Sequence, residues 1–339
     1  MLSFAQIVGH RRLTALLSQA LSRDTLPPTL LFVGPSGVGK FRVARTVAAA
    51  LNCLEPVTTA PGLPFDSCGT CRSCDRILRQ VHVDIFTLGP DDRASIKIDV
   101  IREVLGRTGF RPFEGRRRVV IIEDADALEG QAQNALLKSL EEPPPGTVFL
   151  LTTAVPGQLL PTVRSRCMDL GFGRLTAAEV IDVLTRDHEL SPDDARIAAT
   201  LADGSVGQAL ALGSTDLAVL RETALLLLRQ TAGHGGAAGR LAAAGVLVTG
   251  GSKKDRPRAD IALTLRAVAS MLRDIELINS GGDPRVLANP GVSDQLQSLA
   301  RAFGGTRARE AFVSVDRAII ALERNAGVKV VGEWLAMQM

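Results

Sequence analysis

"LFVGPSGVGKFRVA", residues 31–44, decides the fold. Gly34, Gly37, Gly39 and Lys40 sit where the phosphate-binding pattern G-x-x-x-x-G-K-[ST] wants them. Small residues between a buried strand and a helix let backbone N–H groups turn inward onto phosphates. The helix N-terminus and the lysine then add positive charge. "TLLFV" (29–33), behind the break at Pro27-Pro28, predicts the strand, and 40–51 predicts the helix. An ordinary Gly-rich turn is the blander alternative, and the strand–loop–helix frame weighs against it. The next position should carry a hydroxyl for Mg²⁺, and Phe41 stands there. A phenyl ring neither coordinates a metal nor hydrogen-bonds a phosphate, and it must occupy space near that position.

Working outward, the first half of the chain alternates helix and strand. Leu13, Leu16, Leu17, Ala20 and Leu21 give residues 10–23 a helical apolar face. Strands are expected at 83–88, 119–122 and 148–152, with helices at 98–107 and 131–140. That alternation predicts an α/β domain with a parallel sheet covered on both faces. From Leu175 onward the strand signal ends. Thr176 with Glu179 three residues later forms a capping box that opens a helical region. Short helices are expected to about Leu212 and a longer helical region over 215–339. Interruptions at 233–236, 249–258 and Gly281-Gly282-Asp283-Pro284 read as exposed loops. No internal repeat is visible.

The 339 residues allow two or three domains, and 46% apolar residues can fill their cores. A formal charge of +3, from 39 basic and 36 acidic residues, argues against a chain that grips nucleic acid strongly by itself. The longest cationic run, Arg116–Arg118, reads as a solvated turn rather than a DNA patch. No apolar stretch reaches membrane-spanning length and no signal peptide is evident, so a cytoplasmic location without membrane contact is expected.

Two further constellations carry chemistry. "RRVVIIEDADAL" (117–128) is an apolar strand ending in acids, the arrangement in which one carboxylate holds Mg²⁺ and the next polarises water. The usual order is Asp then Glu; here Glu123 precedes Asp124, so each reaches to a different depth. Asp126 can equally be a charged turn residue. "CGTCRSC" (68–74) places Cys68, Cys71 and Cys74 at C-x₂-C-x₂-C spacing, with Cys53 upstream. Four thiolates suit a structural Zn²⁺ with no open position. Cys53 is the ligand whose geometry must be assumed. Cys167 reads as a small apolar residue, and Arg164 and Arg166 alone could form a solvated face.

Taken in order, "GPSGVGK", the cysteine insertion, "IIEDADAL", "NALLKSLEEPP" (134–144), Thr152-Thr153 and "VRSRC" (163–167) resemble the clamp-loader subunits of bacterial DNA polymerase III, of the AAA+ class. "LADGSVGQALAL" (201–212) resembles the lid and "ERNAGVKVVGEWL" (323–335) the end of the collar of those proteins. The resemblance implies three domains. An AAA+ P-loop-like domain spans 1–173 with a zinc module at about 53–80. A helical lid follows at 174–213, and a helical collar for oligomerisation at 214–339.

Two types compete within that class, the ATP-hydrolysing gamma/tau type and the delta-prime type. Phe41, the order Glu123-Asp124, Gly207 where the active lid motif GSxRDAL carries Arg, and the lack of an extension after the collar favour delta-prime. The resemblance then implies a non-hydrolysing or weakly nucleotide-binding stator within the DNA polymerase III holoenzyme, itself neither a polymerase nor an efficient ATPase. ATP or ADP at Gly34, Gly37, Gly39, Lys40, Glu123 and Asp124 stays an open alternative, as does the gamma/tau motor. The resemblance also implies that Arg166 reaches in trans into a neighbour's ATP site as an arginine finger. Its implied partners are gamma/tau and delta subunits, with the sliding clamp and primed DNA met through the assembled complex. A third alternative, a zinc-dependent nucleic-acid-binding protein, is disfavoured by the balanced charge and by the lack of aromatic-basic interleaving.

Overall fold

The computed structural model describes residues 1–60, 62–91, 95–212, 217–233, 245, 258–323 and 326–339. The loops expected at 234–236 and 249–257, and Arg324 and Asn325 of the collar motif, lie outside the described residues. The chain divides into two compact units. One is Met1–Glu179 with Ser205–Gly207, the other Val180–Gly204 with Gln208–Met339.

The first unit is built on strands β1 (Thr29–Val33), β2 (Ile85–Leu88), β3 (Arg118–Ile122), β4 (Thr147–Thr153) and β5 (Met168–Gly171), in the order β2-β3-β4-β1-β5. Every pairing is parallel. The register places Leu31 opposite Leu151 and Ile122 opposite Leu151. The strands read as continuous apolar runs because both faces are buried. Leu30, Phe32, Val119, Ile121 and Leu150 face one cluster; Leu31, Val120, Ile122, Phe149 and Leu151 face the other. Helices α1 (Arg11–Ser22) and α2 (Lys40–Asn52) cover the first face. Helices α4 (Ile98–Thr108) and α5 (Gly130–Glu141) cover the second, and α3 (Arg72–Leu78) packs on α2. β5 carries no strand signal in the sequence: its "MDLG" is a short edge strand with only Leu170 buried.

Arg118 departs from the solvated turn expected of Arg116–Arg118. It opens β3, is buried, and donates to Asp84 Oδ1 at 3.2 Å and to the carbonyls of Arg107, Phe110 and Arg111. Asp84 also accepts from the N–H groups of Phe113, Glu114 and Gly115, each at 2.8 Å. Burial works against the Asp84 carboxylate, but those three amides and Arg118 outweigh it and hold its pKa below the usual value.

In the second unit the described helices include Leu217–Ala232, Arg258–Asn279, Arg307–Glu323 and Val328–Gln338. The Arg307 guanidinium gathers the C-terminal end there, donating to the carbonyls of Thr231, Ala302 and Met339. No described helix is long and apolar enough to cross a membrane.

Candidate functional site

The phosphate loop forms between β1 and α2 as its sequence requires. Gly37 and Gly39 adopt φ of +74° and +100°, which side-chain-bearing residues rarely accept. Lys40, the first residue of α2, is buried, and its Nζ donates to the carbonyls of Gly34 and Pro35, both at 2.8 Å. The lysine is therefore engaged by its own loop. Burial lowers the Lys40 pKa, opposed by the charges of Asp124, Asp126 and Glu123. Burial and the adjacent Asp124 charge raise Glu123. The charges of the acidic strand end thus act on the lysine.

Asp126 has a structural role. Its Oδ1 accepts from Thr153 Oγ1 at 2.6 Å and from the Ala154 N–H at 3.1 Å, tying the turn after β3 to the end of β4. Phe41 packs against the first hydrophobic cluster, and the Arg45 guanidinium lies 5.8 Å from its ring centroid.

Residues Ser205–Gly207 lie directly on the phosphate loop. The Gly207 N–H donates to the Gly37 carbonyl at 2.9 Å, and Ser205 Oγ donates to the Ser36 carbonyl at 2.9 Å. A Cβ at Gly207 would stand 2.8 Å from Gly37 Cα, inside any real contact. His10 closes another side: its ring nitrogen Nε2 is 3.0 Å from the Val38 carbonyl, which can only accept, so Nε2 carries the proton. The same ring meets Phe172 edge-on at 4.8 Å. Neither His10 nor Ser205 was singled out from sequence; a lone His before a helix and a Ser in a helical stretch carry no motif.

The cysteine insertion closes into one cluster. The Sγ atoms of Cys53, Cys68, Cys71 and Cys74 all lie within 4.8 Å of one another. A tetrahedral zinc–thiolate site, with bonds of about 2.3 Å, sets its sulfurs about 3.8 Å apart. The Cys68 N–H points at Cys53 Sγ at 3.2 Å, and the Cys71 N–H at Cys68 Sγ at 3.3 Å, as suits sulfurs carrying negative charge. Burial would raise Cys68, but the amides of Thr70 and Cys71 prevail and bring its pKa to about 6. Burial raises Cys53 and Cys74. Four buried or half-buried thiols converging without an apolar core of their own fit a metal such as zinc. The cluster is anchored by Asp66, whose buried carboxylate accepts from Ser3 Oγ, the amides of Phe4 and Ser67, and Thr59 Oγ1.

Arg166 follows the short helix α6 (Pro161–Arg164), away from the chain's own phosphate loop motifs in sequence. Its carbonyl accepts from Thr29 Oγ1 at 2.6 Å, which fixes the backbone at the start of β1. Its guanidinium is half-exposed and bonded to Glu141 and to the Thr162 carbonyl. Arg164 pairs separately with Asp169 at 3.4 Å. Cys167 packs on the second cluster, and its thiol is pushed up to about 12 by burial, aided by Asp169; it is inert packing.

Residues 9–176 match the family described as DNA polymerase III, delta subunit. A DNA polymerase III subunit delta' from Pseudomonas aeruginosa is 37% identical over 173 residues, 51% of each chain. This part of the chain belongs to the clamp-loader subunits of DNA polymerase III. The tau/gamma subunit of Haemophilus influenzae is 33% identical over 222 residues, 64% of this chain and 31% of that one. The clamp-loader likeness is thus concentrated in the first unit, and the chain spans about a third to a half of the length of these relatives. Among solved structures, a gamma-subunit-related protein of Thermotoga maritima is 18% identical, with a TM-score of 0.37 over 91% of this chain and 98% of that one.

Proposed function

We propose that this clamp-loader subunit is a stator of the delta-prime type, which binds nucleotide weakly or not at all and acts on a neighbour's ATP site. The observation that carries the reading is the seating of Gly207 on Gly37. A lid residue that would otherwise aim a guanidinium at the phosphates is here a glycine, and its amide takes a carbonyl of the loop. Lys40 bound to Gly34 and Pro35, and Phe41 packed against the first hydrophobic cluster where a Mg²⁺-binding hydroxyl would stand, support the same reading. The loop is kept as a rigid frame for the parallel sheet.

Under this reading Arg166 is the group that does chemistry. A guanidinium reaching the γ-phosphate of an adjacent gamma/tau subunit would stabilise developing charge, an effect of about 10³–10⁵ in rate where it operates. Cys53, Cys68, Cys71 and Cys74 would hold a structural zinc, which cross-links a loop that lacks an apolar core. Residues 174–213 and 214–339 would serve as lid and collar. On the C-terminal helix, Val330, Trp334 and Met337 recur at helical spacing on an exposed stripe suited to collar packing between subunits.

The test mixes the chain with gamma/tau and delta subunits and measures DNA-stimulated ATP turnover and clamp loading onto primed DNA. Arg166→Ala is expected to lower turnover by at least tenfold, and Arg164→Ala by much less. Unchanged turnover with Arg166→Ala would sink the reading. The competing motor reading rests on the intact Gly34, Gly37, Gly39 and Lys40. It predicts ATP turnover by the purified chain alone, which the stator reading excludes.

A further inference from the structure

Arg166 is held in its own subunit by one carboxylate. Glu141 Oε2 accepts from Arg166 Nη2 at 2.9 Å and from Nε at 3.2 Å, while Nη1 donates to the Thr162 carbonyl at 2.9 Å. Each guanidinium nitrogen thus makes a bond inside the chain, and the Nε–Nη2 edge is taken by Glu141. Glu141 is the last residue of α5 and is followed by Glu142. Two acids at a helix C-terminus oppose the helix dipole, which favours cations there. Helix stability therefore does not explain Glu141, whereas the docked guanidinium does. Thr29 ties the Arg166 backbone to the start of β1, so side-chain rotation is the direct way to move the guanidinium off Glu141. Arg164, paired with Asp169, does not compete for Glu141.

We infer that Glu141 is a positioning residue that restrains Arg166 against α5, so that the Nε–Nη2 edge of the guanidinium exchanges this carboxylate for an anionic group presented by a neighbouring subunit. The inference rests on the trans-acting reading of Arg166 and adds its regulation. Glu141 holds the Nε–Nη2 edge, which a phosphate would take with two parallel bonds, so that edge can pair with a phosphate only as the Glu141 contacts break. The pair is partly solvated, with side-chain exposures of 30% for Arg166 and 60% for Glu141, so the restraint is shallow and reversible.

The experiment measures kcat and KM for ATP of the assembled loader, without and with primed DNA, using the full chain as wild type, Glu141→Gln, Glu141→Asp, Arg166→Ala and the Glu141→Gln/Arg166→Ala double variant. Glu141→Gln keeps the shape and removes the charge. It is expected to raise DNA-independent kcat roughly two- to fivefold, the scale of an exposed ion pair, with KM unchanged. Glu141→Asp, which keeps the charge, should stay nearer wild type. The gain should vanish in the Arg166→Ala background, a result that a merely structural lesion would not give. If Arg166→Ala lowers turnover but Glu141→Gln leaves it unchanged or lowers it, the restraint is overturned and the trans role stands. If Arg166→Ala itself changes nothing, both are overturned.

Discussion

Gly207 and Gly37 meet backbone to backbone: the Gly207 N–H donates to the Gly37 carbonyl at 2.9 Å, and no side-chain atom stands between them. Two glycines of remote sequence position are needed for that approach. Gly37 also requires its positive φ, which fixes the carbonyl's direction.

The first prediction follows from the missing space. Gly207→Ala places a methyl group 2.8 Å from Gly37 Cα, and backbone cannot yield as a side chain does. Destabilisation of about 1–3 kcal/mol is expected. Thermal melting of the purified chain measures it, and an unchanged Tm would show that the segment lifts freely off the loop.

A second prediction concerns Phe41. Phe41→Thr restores the hydroxyl of the phosphate-loop pattern, yet Lys40 and Gly207 still occupy the loop's carbonyls. The variant should remain without ATP turnover when assayed alone, and should lose up to about 3 kcal/mol of stability as the ring leaves the first cluster. Turnover appearing with this single change would place the lost activity entirely at residue 41.

Metal content gives a third. Purified chain should carry about one zinc, and Cys71→Ser should release it. Chelation should lower the melting temperature and open the Cys53–Cys74 segment to proteolysis. Full stability in metal-free buffer would mean that the thiols pack without an ion. Because the ligands must be thiolates, affinity should weaken as pH falls.

The fourth concerns acid stability. Asp84 has a folded-state pKa below its unfolded value, so its contribution is present above the unfolded pKa, near 4, and is lost as pH falls through the folded one. Asp84→Asn leaves Arg118 buried without its counter-charge and should cost about 3–5 kcal/mol at neutral pH. Denaturant melts from pH 7 to pH 3 should show the gap between wild type and variant narrowing toward the acid end. A gap constant over that range would assign the cost to packing.

The periodic parts of the fold were legible. "TLLFV", "VVII" and "VFLLT" became adjacent parallel strands, because apolar runs flanked by breaks have few other ways to be buried. The capping box at Thr176 and Glu179 forms in both directions, with Thr176 N–H to Glu179 Oε2 at 2.8 Å and Glu179 N–H to Thr176 Oγ1 at 3.2 Å. Local rules suffice where both partners lie within one turn. β5 was missed, since four residues at a sheet edge bury a single leucine. Arg118 was misread because burial of a charge depends on a partner 34 positions away. His10 and Ser205 escaped for the same reason: each acts on the phosphate loop from a distant part of the chain.

By itself the sequence determined the α/β frame, the phosphate loop with Phe41 in the hydroxyl's place, and the C-x₂-C-x₂-C spacing of Cys68, Cys71 and Cys74; the fold brought Cys53 to them. These rest on spacing along a few turns or strands, where chain connectivity alone sets geometry. Tertiary structure decided what fills the loop, which acid is structural, and what holds Arg166. Those outcomes turn on contacts such as Gly37–Gly207 and Glu141–Arg166. Contacts of that kind depend on how remote segments pack, and hydrophobic periodicity records the packing of a face without recording which polar atoms it brings together.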